Sequence, residues 1–203
     1  MTLPHPSPSA GDLPDPLTDD RAARLEAVLR RHAPADPRES LSLDIMLAEL
    51  GRLEQPFDET ADPTHVTASA IVVGDRGTVL HRHRRLHRWM QPGGHIEPGE
   101  PPEESVRREC VEETGLEVAH PVDGPLVVHV DVHGAARGHV HLDLRYLVWG
   151  PDEDPAPAPG ESQDVAWFSW DQATDMADEA LVGGLRTARR LIGSSSGRSM
   201  WRG

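Results

Sequence analysis

Apolar positions change period along the chain. Ala22, Leu25, Val28 and Leu29 recur at helical spacing, and Leu43, Met46, Leu47 and Leu50 do so at i, i+3, i+4, i+7. Thr18, with Asp19 and Asp20, marks a helix start, and Pro34 and Pro37 break that first helix. The second is predicted from about Glu39 to Leu53, with its four apolar residues facing inward. These helices are expected to serve packing or dimer contact. From His65 the pattern changes. HVTASAIVV predicts a strand over His65–Val73, a turn over Gly74–Gly77 and a returning strand over Thr78–His83, with His81 and His83 on one face. Leu126–His133 and His139–Trp149 predict two further strands joined by a glycine-containing turn. In the second, Leu142, Leu144, Tyr146 and Val148 take one face; His139, His141, Asp143 and Arg145 take the other. ESQDVAWFS, from Glu161, holds another strand. Asp171–Leu191 is helical, with a break predicted near Gly183 and Gly184. Strand pairs around a helix, closed by a last helix on the opposite side, give a mixed sheet between helical layers.

Composition narrows the function. The chain has 203 residues, a net charge of −14 and one cysteine. The length suits one domain with a small appendage. The charge argues against a duplex nucleic-acid binder, which needs a broad basic face. A single cysteine excludes an internal disulfide framework and fits a reducing compartment. No apolar run approaches bilayer length, and MTLPHPSPSAGDLPDP lacks the order of a signal peptide. A soluble, cytoplasmic protein without a membrane partner is expected. Segment 1–16, rich in proline, is expected to stay extended or disordered, 17–60 to form a helical extension, and 194–203 a flexible tail.

The chemistry concentrates in GHIEPGEPPEESVRRECVEETGL, Gly94 to Leu116. Pro101 and Pro102 suit a first helical turn, Glu103 and Glu104 complement the helix dipole, and Gly115 supplies a left-handed stop. A helix over Pro101–Thr114 follows, with Val106 and Cys110 in its apolar stripe. Glu109, Glu112 and Glu113 then share one face. Three like charges there repel unless a cation sits among them. Mg²⁺ takes a few carboxylates and meets substrate phosphates; a solvated acidic face is the plainer alternative. Just upstream, Arg82, Arg84, Arg85 and Arg88 form a basic run in an acidic chain. It reads either as phosphate contact or as a solvated hairpin. His139, His141 and Asp143 read as a second metal site, as cleft lining or as a solvent face.

The same stretch resembles the Nudix box: a glycine, five free positions, Glu100, seven free positions, then Arg108-Glu109-Cys110-Val111-Glu112-Glu113-Thr114-Gly115-Leu116. Cys110 stands where the family has an aliphatic residue, a packing role that a small apolar side chain also fills. A chance match in a chain of this size has a probability on the order of 10⁻⁷ at average residue usage. The match covers only this stretch. The resemblance implies an α/β/α sandwich over 61–193 and Mg²⁺-dependent hydrolysis of a nucleoside diphosphate derivative, with Mn²⁺ as a substitute. It implies that the Gly94 carbonyl, Glu109, Glu112 and Glu113 hold the metal, and that Arg108, paired with Glu100, orients the glutamates. A further acid from a later loop serves as ligand or base; Glu161 is the best match and Asp164 the fallback. Substrate contacts are expected from Arg84, Arg85 and Arg88, with Trp89, Tyr146 and Trp149 as candidates to stack on a base. Subfamily signals that would name the substrate are absent, and a homodimer is compatible. Two other readings of the fold are a metabolite-binding regulator without turnover and a prenyl-diphosphate isomerase. The intact Arg108-Glu109 pair and a core-facing Cys110 weigh against the isomerase.

Overall fold

Thr64–Gly74 becomes β1, the central strand, buried along nearly its whole length, with Val66, Ala68, Ala70 and Val72 on one face and His65, Thr67 and Ser69 preceding Ile71 and Val73 on the other. The computed structural model describes residues 20–193; segment 1–16, the helix start at Thr18 and segment 194–203 lie outside them. In chain order the elements are α1 (Arg21–Leu29), α2 (Pro37–Arg52), β1, β2 (Gly77–Arg82), β3 (Trp89–Met90), β4 (Gly93–His95), α3 (Pro102–Thr114), β5 (Leu126–Gly134), β6 (Val140–Trp149), β7 (Val165–Phe168), α4 (Trp170–Met176) and α5 (Glu179–Gly193). The sheet runs β3-β2-β1-β6-β5, with β4 also pairing β1 and β7 pairing β2. β1 and β6 are parallel and the other pairs antiparallel, so the sheet is mixed. No helix among the described residues is long and apolar enough to cross a membrane.

Strand alternation sorts the core into two layers. Val66, Ala68, Ala70 and Val72 of β1 join Leu142, Leu144, Tyr146 and Val148 of β6 on the face covered by α1, α2 and α3. Ile71, Val73 and Leu147 point the other way, against Leu181 and Leu185 of α5. A register shift between Val127 and His129 resets the alternation of β5, so Val127 and Val130 face the same layer. Leu29 and Met46 are fully buried. Each such side chain contributes roughly 1.5–3 kcal/mol, so the amino-terminal helices belong to the core.

Two local expectations are corrected. Pro37 starts α2 at its first position, and Asp36 caps it by accepting from the Glu39 amide at 2.9 Å. The carboxyl-terminal helix breaks at Ala177–Asp178, where the Asp178 carboxylate accepts from the Leu181 amide at 2.9 Å. Gly183 and Gly184 lie inside α5. A Cβ on Gly183 would stand 2.6 Å from His129 Nε2, so the glycine serves close helix–sheet approach and not a break. The α2 helix also seals the outer strand: Glu39 Oε1 accepts from the Val130 amide at 3.0 Å, and Ser42 Oγ from the Val132 amide at 3.2 Å. Edge amides are thus satisfied without a further strand.

Candidate active site

α3 forms as its sequence dictates. Pro102 opens it, Glu103 and Glu104 occupy the first turn, and Gly115 ends it with φ 72° while its amide donates to the Val111 carbonyl at 2.9 Å. Val106 and Cys110 are fully buried against the sheet. That orientation turns Glu109, Glu112 and Glu113 toward the β4 loop and solvent. An open groove of about 390 Å³ runs along the neighbouring side of α3, lined by Glu104, Arg107, Val111 and Glu117 with Glu100, Arg108 and Glu112 at its border with the cluster; Glu109 and Glu113 do not line it.

Arg108 organises the cluster. Its Nε and Nη2 donate to the two oxygens of Glu100, each at 3.0 Å, in a bidentate pair. Nη1 donates to Glu109 Oε1 at 2.8 Å and lies 3.5 Å from Glu112 Oε2, while Nη2 also donates to the His95 carbonyl at 2.9 Å. All three guanidinium nitrogens are engaged, a fork that lysine cannot reproduce. The backbone comes in close: a Cβ on Gly94 would meet Glu109 Oε1 at 2.5 Å. Glu113 Oε2 accepts from the Gly93 amide at 2.9 Å, and Oε1 lies 3.7 Å from His81 Nδ1.

The titration behaviour follows from this crowding. Burial pushes the Glu113 carboxyl up to about 8; Glu109, Glu161 and Glu112 add to the rise, and the Gly93 amide opposes it. Burial also raises Glu109, against the pull of Arg108. His81 is lowered to about 4 by burial and by its neighbour His83, so it stands neutral beside Glu113. Partly desolvated carboxylates that crowd one another fit a hard divalent cation with oxygen ligands.

The remaining expected residues divide. Glu161 is half-buried and close enough to act on Glu113. Asp164 is exposed and engaged at the surface with Arg82, 3.7 Å away. Arg84 donates to the Gly160 carbonyl beside Glu161; Arg85 and Arg88 are exposed. Trp89 meets Phe168 edge-on, with ring centroids 4.8 Å apart, in the layer under α4 and α5. Tyr146 is buried in the opposite layer beside Val148 and His120. Tyr146 therefore presents no open face to a base, while Trp89 is half-buried. Cys110 is fully buried, and burial holds its thiol well above the usual range.

The NUDIX domain family model matches residues 63–187. The chain belongs to the Nudix hydrolase family. It is 33% identical over 132 residues to a MutT-like protein of Streptomyces ambofaciens, covering 64% of this chain and 80% of that one. It is 34% identical over 99 residues to an RNA pyrophosphohydrolase of Acinetobacter baylyi, covering 48% of this chain and about half, 52%, of the relative. The structure resembles a NUDIX-family hydrolase from Clostridium perfringens with a TM-score of 0.55 and 27% identity, over 63% of this chain and 97% of that one.

In this Nudix domain the sequence pattern misses two features. β2 ends at Arg82, one residue short of His83; the His81 and His83 rings remain neighbours, with centroids 6.5 Å apart, and it is His81 whose Nδ1 lies 3.7 Å from Glu113 Oε1. Asp143 and Arg145 are closed over. Asp143 accepts from Ser69 Oγ at 2.9 Å, Thr67 Oγ1 at 3.2 Å and Arg145 Nε at 3.2 Å. Arg145 Nη1 donates to the Ala180 carbonyl of α5 at 2.6 Å. Arg145, held by Asp143, thus anchors the sheet to α5. Alternation along β6 identifies the face but not the helix that covers it.

Proposed function

We propose that this Nudix hydrolase cleaves the diphosphate linkage of a nucleoside diphosphate derivative or a related compound, with Mg²⁺ or Mn²⁺. The observation that carries the reading is the crowding of three glutamates, Glu109 and Glu112 held by a fully engaged Arg108 and Glu113 buried beside them. The Gly94 carbonyl and the three glutamates would hold the cation. When bound, it supplies charge neutralisation at the diphosphate oxygens and activation of the attacking water. The chain's own groups do the rest. The bidentate Glu100–Arg108 pair keeps Glu109 and Glu112 aimed at one point. Glu161, beside Glu113, accepts the proton as water attacks phosphorus and the bridging P–O bond breaks. Arg84, which donates to the Gly160 carbonyl next to Glu161, would meet a substrate phosphate, with Arg85 and Arg88 approaching from solvent. The family relative that cleaves an RNA pyrophosphate is consistent with a nucleotide-type substrate. Buried Cys110 offers no nucleophile for the isomerase reading.

The test is a substrate screen with Mg²⁺ or Mn²⁺ across nucleoside di- and triphosphates, dinucleoside polyphosphates, nucleotide sugars and 5′-triphosphorylated RNA. Metal-dependent release of phosphate or a nucleoside monophosphate from at least one class is expected. Binding of these compounds without turnover of any would replace the enzyme by a sensor.

A further inference from the structure

A second group of ligand-type side chains gathers at the start of β1, outside the carboxylate cluster. His65 pairs with His141 across β1 and β6, and His95 of β4 pairs with Thr67, two residues along β1. Successive residues of β4 face opposite sides, so His95 turns away from the side where Gly94 approaches Glu109. The rings of His65, His95 and His141 are mutual neighbours, each pair of centroids 5.1 Å apart. One ligand atom from each lies within 4.8 Å of the other two. Glu59 flanks the group, its Oε2 3.3 Å from His95 Nε2, and also falls within 4.8 Å of ligand atoms of His65 and His139.

His65 is the informative member. It is fully buried, and its Nε2 has no hydrogen-bond partner. Its Nδ1 lies 3.3 Å from the Asp62 carbonyl, which can only accept, so the proton sits on Nδ1 and the Nε2 lone pair is free. A ring that donates one nitrogen to a backbone carbonyl and keeps the other bare is oriented as metal-bound histidines are.

We propose that His65, His95 and His141 form a transition-metal site of the Zn²⁺ type, with the Glu59 carboxylate as fourth donor. Imidazole selects Zn²⁺ and its neighbours in the transition series, whereas the carboxylates of α3 suit Mg²⁺. A tetrahedral ion with bonds of roughly 2.0–2.1 Å needs its donors about 3.4 Å apart, so side-chain rotations close the present spacing. Such an ion would tie β1, β4 and β6 together. It would also fix the residue whose carbonyl accepts from Arg108, although the site itself does not depend on the proposed reaction.

The test uses the full chain, stripped by chelator and returned to excess Mg²⁺. Zn²⁺ is then titrated in competition with a chromogenic chelator. One Zn²⁺ per chain is expected. His95→Ala and His141→Ala should each weaken binding at least tenfold, while Glu112→Gln keeps the wild-type affinity. His65 is avoided because its removal leaves a buried hole. Co²⁺ in place of Zn²⁺ should give the strong visible bands of tetrahedral Co²⁺, lost in both histidine variants. Zn²⁺ affinity unchanged in both histidine variants, or abolished by Glu112→Gln alone, would overturn the site and leave the rings a packed histidine cluster.

Discussion

Replacing Glu113 by glutamine isolates the energetic cost of the carboxylate cluster in the metal-free protein. The Glu113 carboxyl rises from 4.5 to about 8 on folding, mainly through burial. A raised carboxyl favours the native state below pH 4.5, and that advantage is lost as the pH climbs through about 8. At about 1.36 kcal/mol per pH unit, the interval sets a ceiling of roughly 5 kcal/mol, of which roughly 3 falls between pH 6 and 8. Glutamine never ionises, and its carbonyl oxygen can still accept from the Gly93 amide. In the presence of chelator, Glu113→Gln should therefore lie close to the parent at pH 5. It should gain on it by roughly 3 kcal/mol between pH 6 and 9. Urea denaturation at the two ends of that range measures the difference directly. Mg²⁺ should reverse the order, because only the parent gains the bound cation. An advantage of Glu113→Gln that does not grow with pH would refute the claim that a crowded, desolvated carboxylate sits at this position.

Other outcomes follow from single contacts. Gly94→Ala puts a methyl 2.5 Å from Glu109 Oε1, too close for the carboxylate to stay in place; kcat should fall by about a hundredfold for a displacement near 1 Å, with folding retained by circular dichroism. Arg108→Lys gives up the bidentate pair with Glu100 and one or more of the contacts to Glu109, Glu112 and His95; turnover should drop at least tenfold, and a wild-type rate would show that the orientation of the glutamates does not rest on the fork. Arg145→Met strands Asp143 in a covered site; urea denaturation should register a loss of roughly 3–5 kcal/mol, and less than about 1 kcal/mol would mean water reaches the aspartate.

Much of this protein could be read from local patterns. The α3 helix, its glycine stop and the shared face of Glu109, Glu112 and Glu113 depend on residues within a few turns, where spacing alone fixes geometry. Alternation along β6 likewise predicted Leu142, Leu144, Tyr146 and Val148 on one face, and the same alternation explains why Tyr146 ends in the core and not against a base. What could not be read depends on contacts between distant segments. Gly183 looks like a helix breaker until His129 is found against it. His65, His95 and His141 come from three strands that only the sheet register unites. Glu161 could be matched to a family position, but its influence on Glu113 required the fold.

The central claim is that the glutamates of α3 hold a catalytic cation, and Glu112 gives the cleanest test. It is half-exposed, so its replacement perturbs folding little. The measurement is Mg²⁺-dependent turnover of Glu112→Gln against the parent, on a substrate the parent cleaves, with Mg²⁺ raised to saturation. An amide is a poor ligand for a cation that demands charged oxygens, so a loss of roughly a hundredfold or more in kcat is predicted, with weaker Mg²⁺ binding and an unchanged or higher metal-free Tm. Turnover at the parent's rate under saturating Mg²⁺ would contradict the account and leave this side of α3 as a solvated acidic surface.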